Sequence, residues 1–74
     1  MKTRIHVESE LLYGNIVITS YTSPGGSVHS VDRSFYGGTA MVDGERVRRF
    51  ELTTGATRHF LYLDDAGRWF VLRP

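Results

Sequence analysis

Turn signals recur along this chain at intervals of about eight to twelve residues, which is the spacing typical of a small all-β domain. The signals are glycine-containing pairs and triplets: Gly14-Asn15, Pro24-Gly25-Gly26, Gly37-Gly38, Asp43-Gly44, Thr54-Gly55 and Ala66-Gly67. Short runs rich in β-branched and aromatic residues lie between them. This pattern predicts an all-β fold, a small antiparallel barrel or curved meander of about five to seven short strands.

Strands are predicted between these turns at Thr3–Glu8, Asn15–Tyr21, Ser27–Phe35, Thr39–Val42, Arg46–Leu52, Thr57–Asp64 and Arg68–Arg73. The first one alternates strictly, because Ile5 and Val7 share one face and polar residues share the other. Between the first two strands, residues 8–13 have the composition of one short helical turn, with Ser9 as its cap and Gly14 just past its end.

The segment 43–54, DGERVRRFELTT, fits two structures. As a helix it would begin at the cap residue Asp43 and pair Glu45 with Arg49. As a strand it would follow the hairpin signal Asp43-Gly44. Val47 and Phe50 have opposite parity, so the strand needs one bulge, at Arg48-Arg49, to bring both inward with Leu52. We favour the bulged strand.

Length and composition exclude several classes of protein. The chain has 74 residues, which predicts a single domain over residues 1–74. It contains no cysteine, which excludes disulfides and thiolate metal sites. No apolar run approaches the roughly 18 residues of a membrane span, and glutamates occupy the place of a signal peptide's apolar stretch. We therefore expect a cytoplasmic protein that does not bind membranes.

Catalytic and metal-binding patterns are weak. Ser27, His29, Ser30 and Asp32 are close in sequence, but strand alternation points His29 away from Ser30 and Asp32, so they cannot form a relay. A hydrolase using Ser27 and His29 is therefore a remote alternative. The three histidines stand apart from one another in sequence, without the spacing of a metal site. We expect no enzyme activity, no metal and no cofactor.

The last hairpin, residues 57–74, predicts two distinct faces. With a loop of two or four residues, the aliphatic core face contains Leu61, Leu63, Phe70 and Leu72. The opposite face is aromatic and flanked by arginines: Phe60, Tyr62, Trp69 and Val71 with Arg58 and Arg73. A loop of three residues would change this assignment.

The aromatic face is the candidate binding surface. The predicted partner-binding residues are Arg58, Tyr62, Trp69 and Arg73, together with Arg46 and Arg48 of the preceding strand. Tyr, Trp and Arg are enriched at protein-interface hot spots, and aromatic rings beside arginines also suit single-stranded nucleic acid. The remaining alternative is that the rest of the fold covers this face, which would make it core.

These observations favour a small non-enzymatic interaction module that regulates or inhibits a larger protein or complex by covering a site on it. A phage-encoded inhibitor of a bacterial defence or host enzyme is one protein of this size and style. The net charge of +1 is too small for long-range attraction to nucleic acid. An acidic protein surface is therefore the expected partner, a nucleic-acid-binding barrel is the alternative, and a homodimer is compatible with exposed strand edges.

Overall fold

The computed structural model describes residues 2–72, and its chain is all-β as predicted. Eight strands follow one another along the chain: β1 (Lys2–Arg4), β2 (His6–Leu12), β3 (Asn15–Thr22), β4 (Val28–Ser30), β5 (Arg33–Val42), β6 (Glu45–Thr54), β7 (Thr57–Leu63) and β8 (Trp69–Leu72). They form a five-stranded sheet in the order β1-β8-β7-β6-β5 and a three-stranded sheet in the order β2-β3-β4. All pairings are antiparallel. No helix that could span a membrane occurs within residues 2–72.

The helical turn expected at residues 8–13 is wrong. β2 runs through this segment to Leu12 and pairs with β3. Tyr13 and Gly14 form the connecting turn with φ angles of 51° and 79°, and positive φ at both positions matches the twist of a two-residue hairpin. The hairpin prevails because cross-strand pairing satisfies backbone groups that a single helical turn leaves open.

The segment 43–54 contains β6, so the strand prediction for it is confirmed and the helix is wrong. The bulge lies elsewhere than expected. It is in β5, where Gly37 and Gly38 together occupy the place opposite Arg49, whereas Arg48-Arg49 in β6 is regular. Gly38 has a φ of 84°, a conformation that is costly for residues with a Cβ, and this favours the bulge at the glycine pair.

The two faces of the five-stranded sheet are both partly buried, because β6 stays regular and Val47 and Phe50 point to opposite sides. We call the side towards the three-stranded sheet the inner face and the other side the outer face. The main core lies between the sheets and contains Ile18, Tyr21, Phe50, Leu52, Leu61 and Leu63. The expectation that Val47 points inward with Phe50 and Leu52 is therefore wrong.

A second, smaller cluster forms on the outer face from Val42, Val47 and Phe70, with Ala40 and Tyr62 packed against it. Lys2 lies over this cluster: its Nζ is 5.0 Å from the centre of the Phe70 ring and 3.9 Å from Glu45 Oε2. Lys2 belongs to β1 and Glu45 to β6, which are separated by two strands in the sheet. The sheet therefore curls over its outer face at this end.

Three backbone hydrogen bonds anchor the chain at the two places where it passes from one sheet to the other. The Ile5 N–H donates to the Trp69 carbonyl at 3.2 Å, just where β1 ends and β2 begins. The Val31 and Asp32 N–H groups donate to the carbonyls of Thr19 and Thr53, one in each sheet, at 2.9 Å. These bonds satisfy backbone groups that would otherwise be left open at the crossings.

Candidate interaction surface

The last hairpin places its side chains differently from the prediction. Leu63 pairs with Trp69 and Tyr62 pairs with Phe70, so Trp69 and Val71 lie on the inner face with the core leucines. Phe70 and Leu72 lie on the outer face. The predicted core face of Leu61, Leu63, Phe70 and Leu72 is therefore wrong for its last two members.

The reversal follows from the length of the loop. The Asp64 N–H donates to the Arg68 carbonyl at 3.0 Å, which leaves only the three residues 65–67 between them. The Asp64 carboxylate holds this loop by accepting from the Ala66 N–H at 3.0 Å, the Arg68 N–H at 2.9 Å and Arg68 Nε at 2.9 Å. The backbone hydrogen bond from Arg68 is the main cause that lowers the pKa of Asp64 below its usual value.

Arg58, Tyr62 and Trp69, three of the predicted binding residues, do not form one patch. Trp69 lies on the inner face and packs on the Phe50 ring, with centroids 5.1 Å apart. Tyr62 is half-buried on the outer face and stacks on Phe70 at 5.5 Å. Arg58 is exposed and donates from Nη1 to Glu51 Oε1 at 2.8 Å. The placement of Trp69 beside Tyr62 is therefore wrong, because the three-residue loop separates the two onto opposite faces.

The other predicted arginines are dispersed. Arg46 and Arg48 are exposed in β6, and their cross-strand partners in β5 are Met41 and Thr39. They alternate with Val47 along β6, so they lie on the inner face of the sheet, whereas Arg58 lies on the outer face. Arg73 lies outside the described residues. The binding role predicted for all these residues stays a prediction.

Arg49 was not among the partner-binding residues predicted from the sequence, but its contacts place it on the outer face beside Phe60. Its guanidinium lies over the Phe60 ring, with Cζ 5.6 Å from the ring centre, and Nη2 donates to the Gly37 carbonyl at 3.1 Å. Its Nε atom is buried without a hydrogen-bond partner. A Cβ on Gly37 would lie 3.4 Å from the Arg49 carbonyl oxygen, so the bulge glycine permits this close approach. The Gly37-Gly38 pair was the available signal.

Two phenylalanines flank Glu51 on the outer face. Phe35 in β5 and Phe60 in β7 are its cross-strand neighbours on either side, and their exposed fractions are 52 % and 44 %. We define the outer patch as five residues on three adjacent strands: Phe35, Arg49, Glu51, Arg58 and Phe60. It combines two exposed rings with a stacked guanidinium and one ion pair.

A cleft of about 460 Å³ adjoins the outer patch at Phe60. Tyr21, His29 and His59 line one part of it, and Leu72 lines another. The Tyr21 and His29 rings stack with centroids 5.1 Å apart, and burial raises the pKa of the Tyr21 phenol. The cleft offers an apolar recess with polar edges next to an exposed phenylalanine, which suits an anchoring side chain.

No three His, Asp or Glu side chains converge in this part of the molecule or elsewhere in residues 2–72, so these residues contain no cluster that could hold a metal ion.

The chain was also compared with models of protein families, with curated proteins and with solved structures, and none of the three comparisons found a match.

Proposed function

We propose that this protein is a non-enzymatic interaction module that regulates or inhibits a larger protein by covering a site on it with the outer patch. The observation that carries the proposal is the pair of exposed phenylalanines, Phe35 and Phe60, on either side of Glu51. Isolated apolar residues on a surface need no explanation, but these two exposed rings are separated by only one side chain and flanked by arginines, which is typical of an interaction site.

The patch has the composition of an interface centre. Aromatic side chains and arginine are enriched there. Phe35 and Phe60 are about half exposed, so covering each one buries roughly half of the about 150–250 Å² of an aromatic side chain. Arg49 is already stacked on Phe60 and held by Gly37, so little side-chain entropy remains to be lost on binding. Covering the patch would also strengthen the cation–π contact, because desolvation raises its worth to about 2 kcal/mol.

The charge of this face favours an acidic partner. Arg33 pairs with Thr53 and therefore shares the outer parity with Arg49 and Arg58, so three arginines surround the single carboxylate of Glu51. Complementary charge steers encounter and specifies the partner more than it adds affinity. We expect the contacted site to carry more Asp and Glu than Lys and Arg.

Single-stranded nucleic acid is the second candidate partner, because exposed rings beside arginines can also stack bases and meet phosphates. The two candidates differ in their dependence on nuclease and on salt. A nucleic-acid complex gives a logarithm of affinity that falls linearly with the logarithm of salt, with a slope set by the phosphates contacted.

The test is capture from a bacterial lysate on immobilised protein, with and without nuclease, followed by mass spectrometry. The variant is Phe60→Ser, and the matched control is Val28→Thr, which alters an apolar residue on the other sheet that is even more exposed than Phe60. We expect a protein that wild type and Val28→Thr retain, that Phe60→Ser loses, and that nuclease does not release. Equal capture by Phe60→Ser would contradict the role of the patch, and loss on nuclease treatment would favour nucleic acid.

A further inference from the structure

The space between the two sheets is open at one end. There a groove of about 530 Å³ runs between the start of β3 and the β5–β6 hairpin. Ile16 lines one wall, and Tyr36, Phe50 and Arg48 line the other. Tyr36 is more than half exposed, although its ring packs edge-on against Phe50 with centroids 5.5 Å apart. The main core thus ends in an uncovered apolar wall.

An apolar hairpin tip stands beside this groove. Leu11 and Leu12, at the end of β2, are 72 % and 45 % exposed, and Tyr13 in the turn is fully exposed. Leu11 pairs with Ile16, so it extends the inner surface of the three-stranded sheet beyond the part that the larger sheet covers. Leu12 points to the other side of this sheet, so the tip is apolar on both sides and ends in the exposed Tyr13 ring.

Charge is divided between the two sheets. No lysine or arginine occurs between Arg4 and Arg33, so the three-stranded sheet carries Glu8, which contacts the His6 imidazole at 2.6 Å, and Glu10 without a lysine or arginine beside them. The five-stranded sheet carries the arginines from Arg33 to Arg58, and Arg48 lines the groove. The tip is therefore apolar and acidic, whereas the groove is apolar and basic.

We propose that this end of the molecule is a homodimer interface, in which the Leu11–Tyr13 tip of each copy enters the groove of the other. A two-fold interface requires that one surface carry both complementary halves. The tip directly precedes β3, and the start of β3 lines the groove. One two-fold axis beside them therefore brings the tip of each copy to the groove of the other. Glu10 of one copy then approaches Arg48 of the other.

The area is consistent with a stable dimer. A specific interface covers about 800 Å² on each partner. Tyr13 is fully exposed and can bury about 150–250 Å², whereas the partly packed Tyr36 can bury roughly half as much. Leu11, Leu12 and the exposed Met41, at the same end of the inner face, add to it.

Phe35 of the outer patch also lines the groove, at the β5 edge, whereas Arg49, Glu51, Arg58 and Phe60 do not. The dimer therefore leaves the part of the outer patch around Phe60 free. The proposal is independent of the proposed function, and either one can fail alone. Phe60→Ser is accordingly a control for the dimer, because it alters the outer patch without changing the tip or the groove.

The test is sedimentation velocity across a dilution series of the full chain. Tyr13→Asn removes the tip ring while it keeps a turn-compatible residue, since Asn-Gly is the preferred pair for this turn. We expect wild type, Phe60→Ser and Val28→Thr to dimerise, and Tyr13→Asn to weaken dimerisation by about tenfold or more. An unchanged far-UV circular dichroism spectrum of Tyr13→Asn verifies the fold, since loss of the dimer by itself lowers the melting temperature. A wild type that stays monomeric throughout overturns the proposal, and so does a dimer that Tyr13→Asn leaves unaltered.

A charge swap tests the orientation. Glu10→Arg and Arg48→Glu each place like charges together and are expected to weaken the dimer, whereas the double variant restores it. Restoration supports the tip-in-groove arrangement. Additive weakening in the double variant overturns this arrangement, because independent sites add whereas contacting residues couple.

Discussion

The half-buried Trp69 indole packs against the Phe50 ring of the main core, with ring centroids 5.1 Å apart. Trp69→Ala removes this contact and leaves a cavity beside the core leucines, so we expect a loss of about 3 kcal/mol in the free energy of unfolding. Urea denaturation measures it. Phe60→Ala is the control and should cost less than about 1 kcal/mol, since Phe60 is exposed on the outer face. Equal costs would place Trp69 outside the core.

Leu61 and Leu72 should respond very differently to the same substitution. Leu61 is only 1 % exposed and Leu72 is 44 % exposed. Leu61→Ala is expected to cost about 2–5 kcal/mol, as buried leucines do, and Leu72→Ala less than about 1 kcal/mol. Thermal and urea unfolding of both variants check this. A large loss in Leu72→Ala would restore the alternative pairing of the last hairpin.

Gly38 should tolerate alanine less well than Gly25. Gly38 has a φ of 84° in the β5 bulge, whereas Gly25 lacks a positive φ and has open space at its Cβ position. Gly38→Ala is expected to lower the free energy of unfolding by about 1 kcal/mol or more through backbone strain. Gly25→Ala should leave it unchanged or raise it slightly. Melting temperatures of the two variants, compared with wild type, test the position of the bulge.

Asp64 should make stability depend on pH in the acid range. Its folded-state pKa is lowered from 3.8, first by the Arg68 backbone hydrogen bond, so the unfolded chain takes up this proton more readily than the folded chain. The stabilisation is complete above the unfolded pKa and is lost as pH falls through the folded pKa. We expect Asp64→Asn to lower the melting temperature at pH 7, with the difference from wild type shrinking below about pH 4. Asp65→Asn, in the same loop, is the control. A melting-temperature difference between Asp64→Asn and wild type that stays constant at all pH values would contradict the prediction.

The all-β fold could be predicted because turn chemistry is local. Asp43-Gly44 specifies a two-residue hairpin by its own conformational preferences, and the structure has that turn. The tip at Tyr13-Gly14 was harder to predict. Tyrosine is not a preferred residue at positive φ, so the segment resembled a helical turn, and only pairing with β3 determines its conformation.

Which face each residue occupies could not be predicted reliably, because it depends on single-residue details of the loops. The predicted loop had two or four residues, whereas three residues lie between Asp64 and Arg68. This difference puts Trp69 on the inner face against the main core and Phe70 on the outer face, where it is buried in the second cluster. The candidate site therefore kept Arg58 and Tyr62 on one face but lost Trp69 from it. Arg49 became visible only through its contacts with Phe60 and Gly37.

The pairing of β1 with β8 has a consequence for the order of assembly. Lys2–Arg4 lies against Phe70–Leu72, so the first and last strands of the described chain meet only after everything between them has been brought together. Such a long-range closure is slow, because the loop entropy is lost before the contact forms. The β2–β3 hairpin needs only a two-residue turn and can form early. During synthesis, β1 is therefore expected to stay unpaired until β8 has left the ribosome. Closure of the larger sheet is then expected to be the final, rate-limiting step of folding.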